Sequence, residues 1–136
     1  MIKEEERLSK KIFGAHRHLG LGLLESAYEE CLCKEFEIRS IAFERQKPLA
    51  VVYKGMTLDC GYKLYIVVGG KVVLELKSVN SIEPIYEAQL LTYLKLSNLK
   101  LGMLINFNVP VLKRRDKKDS GIPGTLYLIL EILIFL

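Results

Sequence analysis

The sequence has few of the features that mark secreted chains. Its 136 residues include three cysteines, an odd number without paired spacing, which argues against a disulfide framework. Cys31 and Cys33 fall in a stretch predicted to be helical, where residues two apart point in different directions. We interpret them as reduced thiols and not as a metal pair. Residues 1–11 contain no apolar signal core, so we expect a cytoplasmic protein.

Apolar runs of membrane-spanning length, internal repeats and a phosphate-cradling glycine loop are also missing. The apolar stretch at residues 125–136 is 12 residues long and contains Glu131. It is too short to span a bilayer as a helix, so we predict no integral membrane span. We expect a terminal strand or helix packed on the core or on a partner chain, with an interfacial anchor as the alternative.

What the chain does contain is enough apolar residues for one folded domain. Half of the residues are hydrophobic and 26% are charged, which indicates a globular protein. The length suggests one domain with a substantial core. The net charge of +4 is compatible with a nucleic-acid partner but does not establish one, because many proteins are mildly basic.

Apolar periodicity predicts two helices before residue 40. Apolar residues recur at helical spacing within residues 3–19, and Gly20–Gly22 interrupts the helix. A second helix is predicted from about Leu23 to Ile38. Its predicted buried residues are Leu24, Ala27, Tyr28, Cys31, Leu32 and Phe36.

From about Phe43 onward the period changes to that of strands. Three antiparallel strands are predicted, with Lys54–Gly55 as the first turn. Pro84 begins a helix over residues 84–97, because proline suits the first helical turn. A fourth strand follows, and this order implies a right-handed crossover and a parallel pair. We predict an α/β fold with a mixed sheet flanked by helices. The predicted strands are residues 47–55, 57–68, 71–78 and 99–109.

The hydrophobic pattern also predicts the register of the second hairpin. With a three-residue loop at residues 69–71, Val68 opposes Val72 and one face is wholly apolar. That face includes Leu64 opposite Leu76. A two-residue loop would mix polar and apolar side chains on both faces, so we predict the longer loop.

The other face of this hairpin carries polar residues suited to phosphate chemistry. The register places Tyr65 across from Glu75, and Lys63 across from Lys77. Glu75 and Lys77 leave the same face because strand residues alternate. A carboxylate can bind a divalent cation that activates water, and a neighbouring lysine can stabilise the charged phosphate. The E-x-K pattern alone is also typical of a solvated ion pair.

Four spaced blocks give the E-x-K pattern its context. In chain order they are GLLESAY, the E-x-K strand, EAQLLTYL and GMLINF. This order resembles the GxxExxY proteins, small prokaryotic proteins assigned to the PD-(D/E)xK nuclease-like superfamily. The resemblance covers about Lys10 to Arg115. We therefore expect a nuclease-like domain over residues 1–118 and an apolar extension over residues 119–136.

The resemblance implies roles for the matching positions. Gly22, Glu25 and Tyr28 would be the name-giving residues, with Glu25 and Glu75 as ligands of Mg²⁺ or Mn²⁺. Glu25 also suits a helix first turn for electrostatic reasons alone. The implied catalytic set is Glu25, Glu75, Lys77, Gln89 and Tyr93. The last two residues are four apart on one helix face and could instead serve packing at the helix–sheet contact.

One position departs from the family pattern. Relatives usually carry aspartate where this chain has Tyr65. A phenol with an ordinary pKa of about 10 is a poor Mg²⁺ ligand near neutrality. Asp59 has the right parity but lies roughly 20 Å away along the strand. We therefore expect a nuclease whose activity is impaired.

The resemblance to the nuclease-like family also implies a nucleic-acid partner. Lys63, Lys113, Arg114 and Arg115 are candidates for phosphate contacts, although residues 113–118 are also typical of a solvated basic loop. Three functions stay open: a metal-dependent nuclease acting on DNA, a non-catalytic nuclease-fold protein that binds nucleic acid or a protein, and a module that dimerises through its apolar tail.

Overall fold

The structure, a computed structural model, describes residues 8, 10–12, 24–108, 114–119 and 126–130, the last two ranges by their backbone. Helix α1 includes residues 8 and 10–12. The Gly20–Gly22 break lies outside the described residues. The other elements are α2 (Glu25–Ile38), β1 (Phe43–Tyr53), β2 (Met56–Val68), β3 (Val72–Lys77), α3 (Pro84–Ser97), β4 (Leu101–Asn106), β5 (Arg114–Asp119) and β6 (Leu126–Leu130).

The six described strands form one mixed sheet in the order β1-β2-β3-β4-β6-β5. Strands β1, β2 and β3 are antiparallel neighbours, whereas β3 and β4 are parallel. A parallel pair needs a long crossover, and α3 provides it between β3 and β4. The predicted α/β fold, a mixed sheet flanked by helices, is therefore confirmed.

Both predicted hairpin turns are present. Lys54 and Gly55 have φ angles of 48° and 78°, which suit a two-residue turn matched to the twist of the strands. The second loop begins at Gly69, with φ 59°. Across it Val68 opposes Val72, so the predicted three-residue loop is confirmed.

The sheet has an apolar core on each face. One cluster joins α1 and α2 to the sheet, and the other joins α3 to its opposite face. In the first cluster Tyr28 stacks on Phe107, with ring centroids 4.5 Å apart. On the other face Gly102 allows close approach, since a Cβ atom there would lie 2.9 Å from Leu94 Cδ1. These contacts fix α2 and α3 against the strands that carry the polar residues.

The buried stripe of α2 differs from the prediction. Leu24 is 76% exposed and Cys31 is half-buried, whereas Cys33 is buried. Leu24 precedes the helix in an extended conformation, with φ −71° and ψ 154°, so it lies outside the helical periodicity. The buried residues of α2 are Tyr28, Leu32, Cys33 and Phe36.

The regular alternation of β2 fails at Leu64. The prediction placed it on the same face as Leu76, but Leu64 packs in the α3-side cluster while Leu76 and Ile66 pack in the opposite one. Gln46 lies between the β1 partners of Ile66 and Leu64 and has φ 52°. A residue in this left-handed region interrupts the regular pleat, which explains why the parity rule is wrong here.

The basic C-terminal segment is a strand, so its prediction as a loop is wrong. β5 pairs antiparallel with β6, and β6 pairs parallel with β4. Charged residues suit β5 because it is an edge strand of the described sheet. The apolar tail, for which a terminal strand or helix was predicted, contains the strand β6. Within the described ranges, no helix combines the length and apolarity needed to cross a membrane.

Candidate functional site

The strand that carries Glu75 separates from its neighbour β2 at that residue. β2 and β3 pair at three positions, which end with Ile66 opposite Leu74. β3 continues beside β4 as far as Lys77, which is paired with Asn106. Glu75 is therefore the first β3 residue beyond the fork between β2 and β3.

Glu75 has a buried carboxyl group, and one of its two oxygens lacks a hydrogen-bond partner among the described residues. Its side chain is 4% exposed, and its Oε1 atom has no hydrogen-bond partner among the described residues. The pKa of Glu75 is raised to about 7, chiefly by burial, while the charge of Lys77 lowers it and the charge of Glu25 adds to the increase. Such a group is stabilised when a proton or a cation neutralises it.

Glu25 is held beside the end of β3. It lies in the first turn of α2, where the helix dipole favours a carboxylate. Its Oε2 atom accepts a hydrogen bond of 3.3 Å from the backbone N–H of Ser78, the residue after Lys77. Because the charge of Glu25 also raises the pKa of Glu75, the two carboxylates belong to one electrostatic site.

Lys77 is oriented by an aromatic ring that the sequence analysis missed. The Lys77 Nζ atom lies 4.7 Å from the centroid of the Tyr86 ring, a favourable cation–π distance. Tyr86 is in the first turn of α3, which directly follows the β3 segment. An aromatic residue at the start of the crossover helix is the signal that could have indicated this contact.

Tyr65 lies across the fork, one residue beyond Ile66 in the β2–β3 register. Its side chain is 39% exposed. Burial raises its pKa, and the charges of Glu75, Glu25 and Glu29 raise it further. Tyr65 therefore stays a neutral phenol near neutrality. A cleft of about 260 Å³ at this point is lined by Glu25, Ser26, Glu29, Gln46, Tyr65 and Leu76.

Arg45 neutralises one side of this cleft. Its Nη2 atom donates hydrogen bonds of 2.6 Å to Glu29 Oε2 and to Glu30 Oε1. Gln46 Nε2 donates a bond of 3.1 Å to Glu29 Oε1. These bonds tie α2 to β1 and engage both oxygens of Glu29.

Of the predicted helix pair, Tyr93 interacts electrostatically with Glu75, whereas Gln89 is exposed. Tyr93 is half-buried, and its pKa is raised by burial first and then by the charge of Glu75. Its ring centroid lies 6.2 Å from that of Tyr62. Gln89 is exposed, and its amide makes no hydrogen bond to another described residue.

The other predicted residues are spread over the molecule. Tyr28 is fully buried against Phe107, a packing role. Lys63 is exposed on β2. Arg114 and Arg115 are the first two residues of β5. Two predicted residues lie outside the described part of the chain: Gly22 and Lys113.

A buried asparagine fixes the segment after Lys77 and was not predicted. Asn106 is fully buried, and its Oδ1 atom accepts hydrogen bonds of 3.1 Å from the N–H groups of Val79 and Asn108. Its Nδ2 atom donates a bond of 2.9 Å to the Val79 carbonyl. Asn106 thus anchors the residue after Ser78. A polar residue inside the apolar strand LGMLINF is the sequence signal for this role.

The Glu25 and Glu75 carboxylates can be compared with the ligands that a divalent cation requires. In the part of the chain that the structure describes, no group of three or more His, Cys, Asp or Glu residues could hold a metal ion. Mg²⁺ commonly binds through one or two carboxylates and keeps several waters. Glu25 and Glu75, with the unpartnered oxygen of Glu75, fit such a cation.

A mixed α/β fold with an E-x-K strand at a fork in its sheet defines a nuclease-like protein. The family model of the PD-(D/E)XK nuclease superfamily matches residues 3–118. The chain belongs to this superfamily, which confirms the superfamily predicted from the sequence. Corresponding searches of curated proteins and of solved structures find no match.

Proposed function

We propose that this chain is a divalent-metal-dependent nuclease of the GxxExxY group, acting on DNA in the cytoplasm, whose activity is impaired by Tyr65. The observation that supports a metal site best is the buried Glu75 carboxyl with its unpartnered Oε1 atom. A divalent cation would satisfy that oxygen and neutralise the charge that burial disfavours.

The residues around the fork would have separate roles in metal binding and phosphate stabilisation. Glu75 and Glu25 would hold Mg²⁺ or Mn²⁺, which when bound polarises the scissile phosphate and lowers the pKa of water. Lys77 would stabilise the negative charge on the phosphate. The Tyr86 ring positions the Lys77 ammonium, and the Ser78 N–H positions the Glu25 carboxylate.

Tyr65 accounts for the proposed impairment. The family pattern has aspartate at this position, and the raised pKa of Tyr65 keeps the phenol neutral. The cation would then keep two protein carboxylates in place of three. Loss of a ligand lowers both metal affinity and catalytic rate.

The test compares the wild type with Tyr65→Asp and with Tyr65→Asn, a matched variant that adds no charge. Calorimetric titration with Mn²⁺ should show at least about tenfold tighter binding for Tyr65→Asp. Cleavage of single- and double-stranded DNA should rise in that variant only. Adding Lys77→Ala to Tyr65→Asp should abolish cleavage while Mn²⁺ binding remains.

Three results would contradict the proposal. Strong cleavage by the wild type would mean that another group completes the metal site. Equal Mn²⁺ affinity for the aspartate and asparagine variants would mean that position 65 does not face the cation. Cleavage that survives Lys77→Ala would remove Lys77 from the chemistry.

The second candidate is a non-catalytic protein that binds nucleic acid or a protein partner on this fold. Tyr65 itself favours it, because a neutral side chain stands at a ligand position. Metal-independent DNA binding by the wild type, with no cleavage by Tyr65→Asp, would support this candidate. A homodimer through residues 125–136 and a domain boundary at residue 118 are further predictions.

A further inference from the structure

The β1–β2 ribbon, defined as residues 47–63, projects beyond the rest of the sheet. β2 pairs with β3 only at residues 66–68, so β1 is the one described strand paired with the ribbon part of β2. The ribbon touches α3 near its base, where the Tyr62 ring packs on Tyr93. Its distal part has no such cover among the described residues.

Exposed apolar surface is concentrated on this ribbon. Nine large hydrophobic side chains are exposed in the described part of the chain, and five of them belong to the ribbon. This concentration indicates a ligand-binding surface, because scattered exposed side chains would need no explanation. The five are Val52, Tyr53, Met56, Leu58 and Tyr62.

The charges of the ribbon favour a polyanion as the ligand. The ribbon contains three lysines, Lys47, Lys54 and Lys63, and one acid, Asp59. The Lys54 Nζ atom lies 5.5 Å from the centroid of the Tyr53 ring, so cation and aromatic face form one unit. A second copy of the chain is disfavoured, because a twofold interface would bring the lysines of both ribbons together.

The aromatic rings favour unpaired bases over a duplex. The Tyr53 and Tyr62 side chains are 56% and 48% exposed. Exposed tyrosines beside lysines are the combination that binds single strands, since bases stack on the rings while cations contact phosphates. In a duplex the base faces are already stacked on one another.

The base of the ribbon is also close to the candidate metal site in sequence. Tyr62 is three residues from Tyr65 on β2, about 10 Å along a strand, and the charge of Glu75 raises the pKa of Tyr65. We propose that the β1–β2 ribbon binds single-stranded nucleic acid, with bases stacked on Tyr53 and Tyr62 and a phosphate at Lys54. This inference deepens the proposed function by naming the substrate form, but the binding itself needs no metal.

The experiment measures fluorescence anisotropy of a labelled oligonucleotide of about 20 nucleotides, alone or as a blunt duplex, in EDTA. The single strand should bind more tightly than the duplex. Tyr62→Ala should weaken single-strand binding about tenfold, whereas Tyr62→Phe should retain it because the ring is kept. Lys54→Ala should reduce the slope of log affinity against log salt by about 0.7.

Two matched controls lie outside the ribbon. Ile38→Ala changes an apolar side chain that is 68% exposed, and Lys34→Ala removes an exposed cation, both on α2. Neither should change stacking-dependent binding. If Tyr62→Ala fails to fold, Tyr53→Ala at the ribbon end tests the same role away from α3.

Tighter duplex binding would overturn the proposal, as would unchanged affinity in Tyr62→Ala and Tyr53→Ala. No nucleic-acid binding together with a concentration-dependent dimer broken by Met56→Lys would assign the ribbon to a protein interface. The proposed nuclease function fails separately: single-strand binding with an inactive Tyr65→Asp variant would exclude cleavage and retain the ribbon site.

Discussion

At the scale of single residues, the electrostatics of the site depend on Glu75. Its folded pKa of about 7 lies above the ordinary value of 4.5, chiefly because burial disfavours the carboxylate. Folding therefore favours the protonated form. The resulting stabilisation is fully present below the unfolded pKa and is lost as the pH rises through about 7.

Glu75→Gln should remove this pH dependence from the metal-free protein. A shift from 4.5 to about 7 corresponds to at most about 3 kcal/mol. The free energy of unfolding should thus fall by up to that amount in the wild type between about pH 4.5 and pH 8.5, relative to the variant. Urea denaturation in EDTA at several pH values measures it. Parallel pH curves for the two proteins would mean that Glu75 titrates at an ordinary pKa in the fold.

The E-x-K pair was predictable from the sequence, whereas its environment was not. Alternation along a strand places Glu75 and Lys77 on one face without any knowledge of the fold. The Tyr86 ring over Lys77 and the Ser78 N–H on Glu25 depend on how α2 and α3 dock. No sequence period encodes such docking.

At the scale of elements, local sequence patterns were sufficient to predict helix limits and turns where the backbone hydrogen bonding is regular. Proline at its start and apolar spacing gave the limits of α3, and glycines gave the β2–β3 loop. The alternation rule failed at Leu64 because Gln46 adopts a positive φ beside the fork. The charge pattern of β5 indicated a loop because all of its six residues are charged, and that pattern does not reveal the pairing with the apolar strand β6.

Asn106→Leu should loosen the segment that follows β3. The change removes the hydrogen bonds of Asn106 to the half-buried Val79 N–H and carbonyl, so the free energy of unfolding should fall by about 3 kcal/mol. The amide resonance of Ser78 should also shift, because this residue precedes Val79 and donates to Glu25. Urea denaturation and amide NMR spectra provide the two measurements.

Asn108→Ala is the matched control for Asn106→Leu. Its side chain makes one long contact of 3.5 Å to the Val79 carbonyl, and its backbone N–H is retained in the variant. It should cost less than about 1 kcal/mol. Equal losses in the two variants would mean that Asn106 has no special part in holding the segment.

At the scale of the whole molecule, the C-terminal strands decide where the folded unit ends. The family match ends at residue 118, yet β6 pairs with β4 over five residues, Leu126 to Leu130. In the described sheet β6 lies between β4 and β5, so it covers the edge of β4. A boundary at residue 118 would therefore leave β4 with an open edge.

Deletion of residues 120–136 should destabilise the fold, whereas deletion of residues 131–136 should preserve it. The longer deletion removes β6 and should lower the free energy of unfolding by about 3 kcal/mol or more. The uncovered β4 edge should also promote self-association. The shorter deletion keeps every described pair between β4 and β6. Urea denaturation and light scattering after size exclusion compare the three chains.

The same three chains separate packing within one subunit from dimerisation. If β6 belongs to the sheet of its own chain, only the longer deletion lowers the unfolding midpoint. A wild-type dimer that becomes monomeric in both deletions, with an unchanged midpoint, would instead assign the apolar tail to a partner subunit. Equal midpoints and a monomer in all three chains would make residues 119–136 a separable extension, because strand pairing that stabilises a fold cannot be removed without cost.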